Sequence, residues 1–495
     1  MTKILAALLA ALMLVSVVAC GNNSNDPVTT TSSSGEVTGD NTSKVDDNRD
    51  ANGYLKDDLP DNLNYGNKVS VLYWQDVEEP EFEAEGQTGD IVNDAIRQRN
   101  TNVQERLGIT FEWTAQDGDN GERAAFVKFV ENAYNAGESY DIIATYSRTS
   151  GMLACRGFLY NLNDIEDNYI NLEQPWWPST ITESVTIGDA VYFLSGDAST
   201  NVLHFMYVMW YNKQLITDLN LENPVQLVRD NKWTLDKFYE MTANTYQDLN
   251  NNGNKDVTDF YGFCGVNYGL DAFYTGSGLR LIEVSDTDML KVSDDYYSEK
   301  TVGLIDALGR RCTSNDWYIG GDYQDAFVDG RVVFCQNRAY FAQRKLLDSD
   351  VSYGLVPTPK YDENQADYVS VLGNPITLYS IMNNAPESKL SELTAVLECW
   401  ASEGYRNTTP ALFETNMQLK YSETSDEADM FTIIHDTINF DLGRIFSNEM
   451  QYMSEIPSKT AEAGASWTSR YKTYQKILAS SLKSLVAKFE KIQES

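Results

Sequence analysis

Apolar residues are distributed along this chain in three successive regimes. Ile4 to Val18 is a nearly unbroken run of Ala, Leu, Met and Val, interrupted only by Ser16. It is too short and too abruptly ended for a membrane-spanning helix, and it has the form of a secretory h-region. From Gly21 to about Tyr65 the chain is Asn, Ser, Thr, Asp and Gly, with almost no large apolar side chain before Tyr54. Such a composition cannot bury a core and predicts a flexible spacer over residues 20–65. After Asn67, short apolar runs alternate with amphipathic stretches. Val69 to Trp74, Ile109 to Thr114 and Tyr140 to Thr145 read as buried strands. Between them, Ile91 to Leu107 and Ala124 to Ala136 carry apolar residues at helical spacing and stop at Gly108 and Gly137. Strand, helix, strand, helix, strand predicts a parallel sheet with crossover helices.

Further along, Val191 to Leu194, Tyr207 to Tyr211, Arg331 to Cys335 and Val351 to Pro357 read as strands, and Thr234 as the N-cap of a helix running to about Thr245. Near the end, Tyr474, Leu478, Leu482, Leu485, Phe489 and Ile492 recur every three or four residues on one helix face. From Arg470 onward this helix has six bases and two acids, against the trend of the chain. We read it as a docked terminal helix whose polar face meets acidic neighbours.

Length and charge narrow the function. A chain of 495 residues requires two or more cores or one large discontinuous fold. Hydrophobic residues at 42% and charged residues at 22% are ordinary for a globular body. The formal charge of -35 repels phosphate backbones and excludes nucleic acid as a ligand. Only nine acids and three bases fall between Cys20 and Tyr65, so the acidity belongs to the folded body. Two histidines and six cysteines without a CxxC exclude multi-imidazole sites and zinc ribbons. Val17-Val18-Ala19-Cys20-Gly21 resembles the lipobox of bacterial lipoproteins, which implies a signal peptide over residues 1–19 and a lipid anchor on Cys20. An ordinary signal peptide with an incidental cysteine is the alternative. Cys155, Cys264, Cys312, Cys335 and Cys399 show no disulfide spacing and read as buried thiols, with a single Cys312 to Cys335 bridge as the alternative.

Several dispersed segments, in this order, resemble the extracellular solute-binding lipoproteins of bacterial ABC importers, in the carbohydrate-type branch. They are Tyr140 to Asp164, Gln174 to Asp197 with its Trp-Trp pair, Trp210 to Ile216, Asn231 to Met241, Ala326 to Phe341 and Tyr353 to Ser370. The resemblance weakens after Pro410. It implies an α/β, two-lobed, periplasmic-binding-protein-like (type II) fold with a hinge of two to three crossovers. These crossovers are expected near residues 195–203, 356–359 and 404–410. Residues 66–200 and 357–405 would then form one lobe, and 201–356 and 406–495 the other. The implied protein is a monomer on the outer face of the membrane. It captures a carbohydrate, an oligosaccharide in expectation, and delivers it to ABC permease subunits.

Candidate chemistry is of two kinds. Asp248, Asn250, Asn252, Asn254, Asp256 and Asp259, with Gly253 at the turn, follow the EF-hand spacing for a structural calcium ion, Asp replacing Glu at the last position. A metal-free Asn-Gly turn is the alternative. Thirty tyrosines and nine tryptophans suit sugar recognition, since flat rings cover the apolar faces of pyranoses, although aromatics mostly fill cores. By their position after strands, or by the resemblance, the substrate-binding candidates are Trp74, Asp76, Arg148, Tyr207, Tyr274, Trp317, Asn337, Tyr340, Asn374 and Trp467. Trp176 and Trp177 are expected at a lobe surface, and Trp113 and Trp400 in a core. Catalysis lacks its usual motifs, with no GxSxG, GxxxxGK[ST] or HExxH. Carboxylate pairs are too numerous to single out a glycosidase dyad, so a secreted glycoside hydrolase and a sensor for another polar solute stand as alternatives. The acidic surface suits a neutral ligand unless the cleft reverses the charge locally around Arg148 and Arg338.

Overall fold

The computed structural model describes residues 48–413 and 425–494, apart from Glu78, Glu85, Gln87, Thr88 and residues 286–288. The secretory run and Cys20 lie outside the described residues. In chain order the strands are β1 (Lys68–Trp74), β2 (Thr110–Gln116), β3 (Ile142–Tyr146), β4 (Tyr207–Asn212), β5 (Tyr261–Gly265), β6 (Ile282–Val284) and β7 (Leu290–Val292). They continue with β8 (Trp317–Ile319), β9 (Val332–Arg338), β10 (Tyr353–Val356), β11 (Ser370–Val371), β12 (Thr377–Ile381) and β13 (Ile438–Asn439).

Two sheets organise the body. The first has the order β12-β3-β1-β2, with β1 parallel to β2 and β3, and β12 antiparallel to β3. The second has the order β10-β4-β9-β5-β8, with β9, β5 and β8 parallel and β4 antiparallel to its neighbours. The parallel strands with crossover helices agree with the alternating pattern, and the mixed α/β, two-lobed architecture is the one that the resemblance implied. The helix Ile91–Leu107 forms where its apolar period is clearest. The Asp90 side chain caps it by accepting from Asn93 N–H, and it ends at left-handed Gly108. Thr234 caps the helix Leu235–Met241, which stops four residues short of the expected end. Val191 to Leu194, read as a strand, makes a single antiparallel bridge from Leu194 to Tyr379.

The terminal helix runs Trp467–Gln493 and buries Leu478, Leu485 and Phe489. Phe489 packs on Tyr192 and Phe446, while the helix's first turn buries Trp467 against Tyr296. The C-terminal region thus touches elements of both expected lobes.

Two further expectations are corrected. Residues 48–65 are packed, not a spacer. Asp57 is buried and pairs with Arg106 at 2.7 Å, Leu59 joins the core, and Tyr65 N–H bonds Leu107 O. Average composition hid two anchoring side chains. Trp176 and Trp177 are fully buried, not superficial, because both indole N–H groups donate to one carboxylate, Glu398, at 3.1 and 2.7 Å. All five cysteines beyond Cys20 are free and buried.

The first crossover is fastened by a buried polar network. Glu81 accepts from Thr377 Oγ1 at 2.8 Å, from Tyr379 Oη at 2.6 Å and from Asn201 Nδ2. Arg99, fully buried, donates to the backbone oxygens of Glu81 and Ala198 and lies over the Trp400 ring. The third crossover packs directly on the first. A Cβ on Gly404 would meet Asp197 O at 1.9 Å, so only glycine allows this approach.

Burial pushes the Glu398 carboxyl up to about 7, against the three N–H groups that bond it from Trp177, Asn171 and Trp176. Unfolded, the group releases its proton near 4.5, whereas folded it holds the proton to about pH 7. Stability therefore falls as pH rises across that window, by up to about 3 kcal/mol from this group. Urea unfolding of wild type and Glu398→Gln between pH 4 and 8 checks this. The variant is expected to lose most of that slope, and an unchanged slope would refute the assignment.

Candidate functional site

Parallel strands of both sheets, β3 of the first and β5 and β9 of the second, end at one cavity. At the carboxyl end of β3 stands Tyr146, followed by Arg148 in the first turn of the helix Ser147–Ala154. After β5 the chain turns through Asn267 and Tyr268 into Asp271, and β9 ends on Arg338. Tyr207 opens β4, and Asn374 lies in the short segment between β11 and β12. Arg444, from the short helix Leu442–Ile445, and Glu455 with Lys459, from around the helix Ile456–Glu462, close the cavity from the C-terminal region. It measures about 370 Å³, at the small end of the roughly 300–1,000 Å³ usual for ligand pockets. Its position at strand carboxyl ends is where open α/β sheets bind ligands. A larger open groove beside the end of the terminal helix is lined by Arg156, Tyr160, Asp189 and Lys488. It draws no residue from a strand of either large sheet.

Arginines dominate the electrostatics. Arg148 Nη2 bonds Glu455 at 2.6 Å, and Lys459 bonds the same carboxylate at 2.8 Å. Burial pushes Glu455 up, but Lys459 and Arg148 outweigh it and leave the carboxyl below its ordinary value. Arg444 Nε donates to Asn374 Oδ1 at 2.9 Å, and its Nη2 lies 3.9 Å from Asp271. Burial holds Asp271 above the ordinary carboxylate value, with Arg444 offsetting part of the shift. The Arg338 guanidinium lies over the Phe205, Tyr207, Tyr268 and Tyr340 rings at 4.9 to 6.0 Å. Burial likewise raises Tyr146, although Arg148, Arg123, Arg338 and Arg444 all favour its phenolate.

Of the sequence candidates, the structure brings Arg148, Tyr207 and Asn374 together at this cavity. Two others act behind it. Trp74 is buried, donates to Thr377 Oγ1 at 2.9 Å and packs edge-on against Tyr146 at 5.5 Å. Asp76 accepts from Gly118 and Asp119 N–H at 2.8 and 2.9 Å, fixing the loop that carries Asn120 into the cavity. The remaining candidates lie elsewhere. Trp317 is core, with its ring 4.5 Å from Phe263 and its indole on Thr242. Trp467 is buried on Tyr296 O, and Tyr274 is buried with its hydroxyl on Arg280 O. Asn337 is buried one residue before Arg338, and Tyr340 packs edge-on against Phe205. Trp317, Trp467, Tyr274 and Asn337 are buried in the core, as large aromatics often are, whereas Tyr340 is half-buried beneath Arg338.

Sequence reasoning missed Asn120, Tyr146, Asn267, Tyr268, Asp271, Arg444, Glu455 and Lys459. Tyr268 and Asp271 follow a strand end and were within reach of the reasoning that found Arg148. Arg444 and Glu455 stand in no motif.

The acidic loop is compact. Asp248 accepts from Asn252 and Gly253 N–H, and the Asn250 and Asn252 amides bond Asp256. Gly253 is left-handed with φ +73. Hydrogen bonds from Thr258, Asn252 and Asn250 hold Asp256 far below its ordinary value. Asp259 is buried and turned inward, accepting from Leu249 N–H and Tyr246 Oη. Among the described residues, no three His, Cys, Asp or Glu side chains converge as metal ligands.

No protein-family model matches the sequence, and no curated protein matches it. Solved structures match the fold. A cyclo/maltodextrin-binding protein complexed with maltotetraose aligns at TM-score 0.54 and 15% identity, covering 86% of this chain and 97% of its own. The galacto-N-biose/lacto-N-biose I-binding protein of an ABC transporter from Bifidobacterium longum, bound to lacto-N-biose, aligns at 0.52 and 12%, covering 84% and 97%. UgpB from Mycobacterium tuberculosis, in complex with glycerophosphocholine, aligns at 0.50 and 13%, covering 82% and 99%.

Replacing Asp76 by Ala is expected to loosen residues 117–122, at a cost of about 1–2 kcal/mol for the two lost N–H acceptors. Hydrogen exchange should show faster exchange at Gly118 and Asp119, while the two sheets stay protected. Unchanged protection at those amides would remove Asp76 from this role.

Proposed function

Given the two-lobed fold that it shares with the solute-binding proteins of ABC importers, we propose that this chain binds a saccharide in the cavity at its strand ends and acts without catalysis. The observation that carries the reading is the convergence on one cavity of Arg148 from the end of β3, Tyr207 and Arg338 from the second sheet, and Asn374 from the segment before β12. Rings at Tyr146, Tyr207 and Tyr268 are suited to sugar faces, and the amides of Asn120, Asn267 and Asn374 to hydroxyls. A cavity of 370 Å³ favours a short saccharide over a long chain. Closure of the lobes would stabilise the bound state by differential affinity. In the same reading Cys20 carries a lipid anchor at the outer membrane face, and a membrane permease receives the ligand. Among the described residues no helix is long and apolar enough to cross a membrane, so attachment would rest on that anchor. The protein would act as a monomer.

The fold of the proteins that bind maltotetraose and lacto-N-biose supports the saccharide reading, and a thermal-shift panel of di- and trisaccharides tests it. A ligand at a hundred times its Kd adds about 2.7 kcal/mol, enough to raise Tm by several degrees. The sugar is expected back intact. Hydrolysis products would favour a glycoside hydrolase, and no shift with any saccharide would sink the reading.

We also propose a structural calcium ion in the 248–259 loop. Asp248, Asp256 and the Asn254 carbonyl would contribute oxygens, Asn250 and Asn252 would join after rotation of their amides, and Asp259 would join only on turning away from Leu249 N–H and Tyr246 Oη. Titrating calcium into chelator-treated protein should release heat and raise Tm, and Asp248→Ala should abolish both. Absence of heat and of any Tm change would overturn it.

A further inference from the structure

The chain is strongly acidic, yet its cavity is not. Beside Arg338, whose guanidinium is engaged by aromatic rings, three cationic side chains, Arg148, Arg444 and Lys459, line it against two carboxylates, Asp271 and Glu455, among the described residues. One carboxylate, Glu455, is shared between Arg148 and Lys459. The other stands 3.9 Å from Arg444, beyond hydrogen-bond reach.

Arg148 and Arg444 are each 5% exposed. Arg444 Nη1 and Arg148 Nε are buried without a hydrogen-bond partner. Buried donors are nearly always satisfied, and a guanidinium cannot shed its proton to escape the cost. Arg148 and Arg444 therefore carry N–H donors that the described acceptors do not satisfy, and with Lys459 they outnumber the two carboxylates. A neutral sugar hydroxyl would satisfy donors but leave the charge. A planar or tetrahedral oxyanion supplies several acceptor oxygens and the opposite charge, and it matches the guanidinium fork.

We propose that the ligand is an acidic saccharide whose anionic group, a carboxylate or a sulfate ester, sits between Arg148 and Arg444. Tyr146, Tyr207 and Tyr268 flank its ring. The inference rests on the saccharide reading above and sharpens it to a chemical class. The acidic exterior would slow the approach of such an anion, and the cationic cavity would retain it.

The test is calorimetry on the whole protein with paired sugars: di- and trigalacturonate against galactobiose and galactotriose of the same linkage, and sulfated disaccharides against their unsulfated parents. An acidic member is expected to bind at least tenfold more tightly than its neutral parent, with the advantage shrinking as salt rises. The uronate and sulfate arms identify which anion is held. Arg444→Gln and Arg148→Gln, checked for folding by circular dichroism, should each remove most of the acidic member's advantage, read as the ratio of acidic to neutral affinity within the same variant. Should either variant fail to fold, the wild-type comparison decides alone. Neutral members binding as tightly as acidic ones would overturn the inference and leave the saccharide reading standing. Binding by no saccharide of either kind would overturn both.

Discussion

The buried contact between Glu81 and its partners is the constraint on which the two-sheet arrangement depends. One carboxylate gathers Thr377 and Tyr379 of β12 and Asn201 of the first crossover, while Arg99 ties the backbone on both sides of it. Burial raises Glu81 and lowers Arg99, so both charges are costly to hold there. Such a cluster contributes little net stability compared with apolar packing, but removing one member leaves a buried charge unpaired. Its effect is to specify geometry. The crossover leaves the first sheet at a fixed point, and β4, with Tyr207 at its start, enters the second sheet in a fixed direction.

From that fixed crossing, the cavity follows. β3 and β9 both end at it, delivering Arg148 and Arg338 from different sheets, and the C-terminal region seals it with Arg444 and Glu455. A residue of the first sheet and one of the second can approach only as the crossovers allow, so the cavity's shape is tied to the angle between the sheets. The close approach of Gly404 to Asp197 packs two crossovers directly against each other. Low-dielectric walls strengthen the field of the arginines inside, whatever the net charge outside.

How much of this was legible in the sequence varied with the kind of signal. Helix Ile91–Leu107 and strands β1 to β3 were readable because their apolar periods are long and their stops are glycines or polar runs. Arg148, Tyr207 and Asn374 were legible because strand ends and crossovers can be placed from such patterns. Trp317 and Trp467 were not, because composition counts aromatics without saying which face water. The packing of residues 48–65 depends on Asp57 meeting Arg106, a partner far along the chain that no local pattern reveals. The charge of the cavity was hidden for a related reason. Arg148 and Arg444 are nearly three hundred positions apart, and only the fold makes them neighbours.

One edge of the first sheet is closed by β12, which pairs antiparallel with β3 from Ile142 through Tyr146. Its residues are 377–381, after the whole second sheet has been made. The N-terminal sheet therefore cannot be completed in the order of synthesis. Until residue 381 is available, β3 exposes an unpaired edge and Glu81 lacks two of its hydroxyl partners, a condition that favours slow folding and misassociation. The second sheet draws its strands from one continuous stretch, 207–356, and is free of this delay. The half of the molecule written first is thus the half that must finish last.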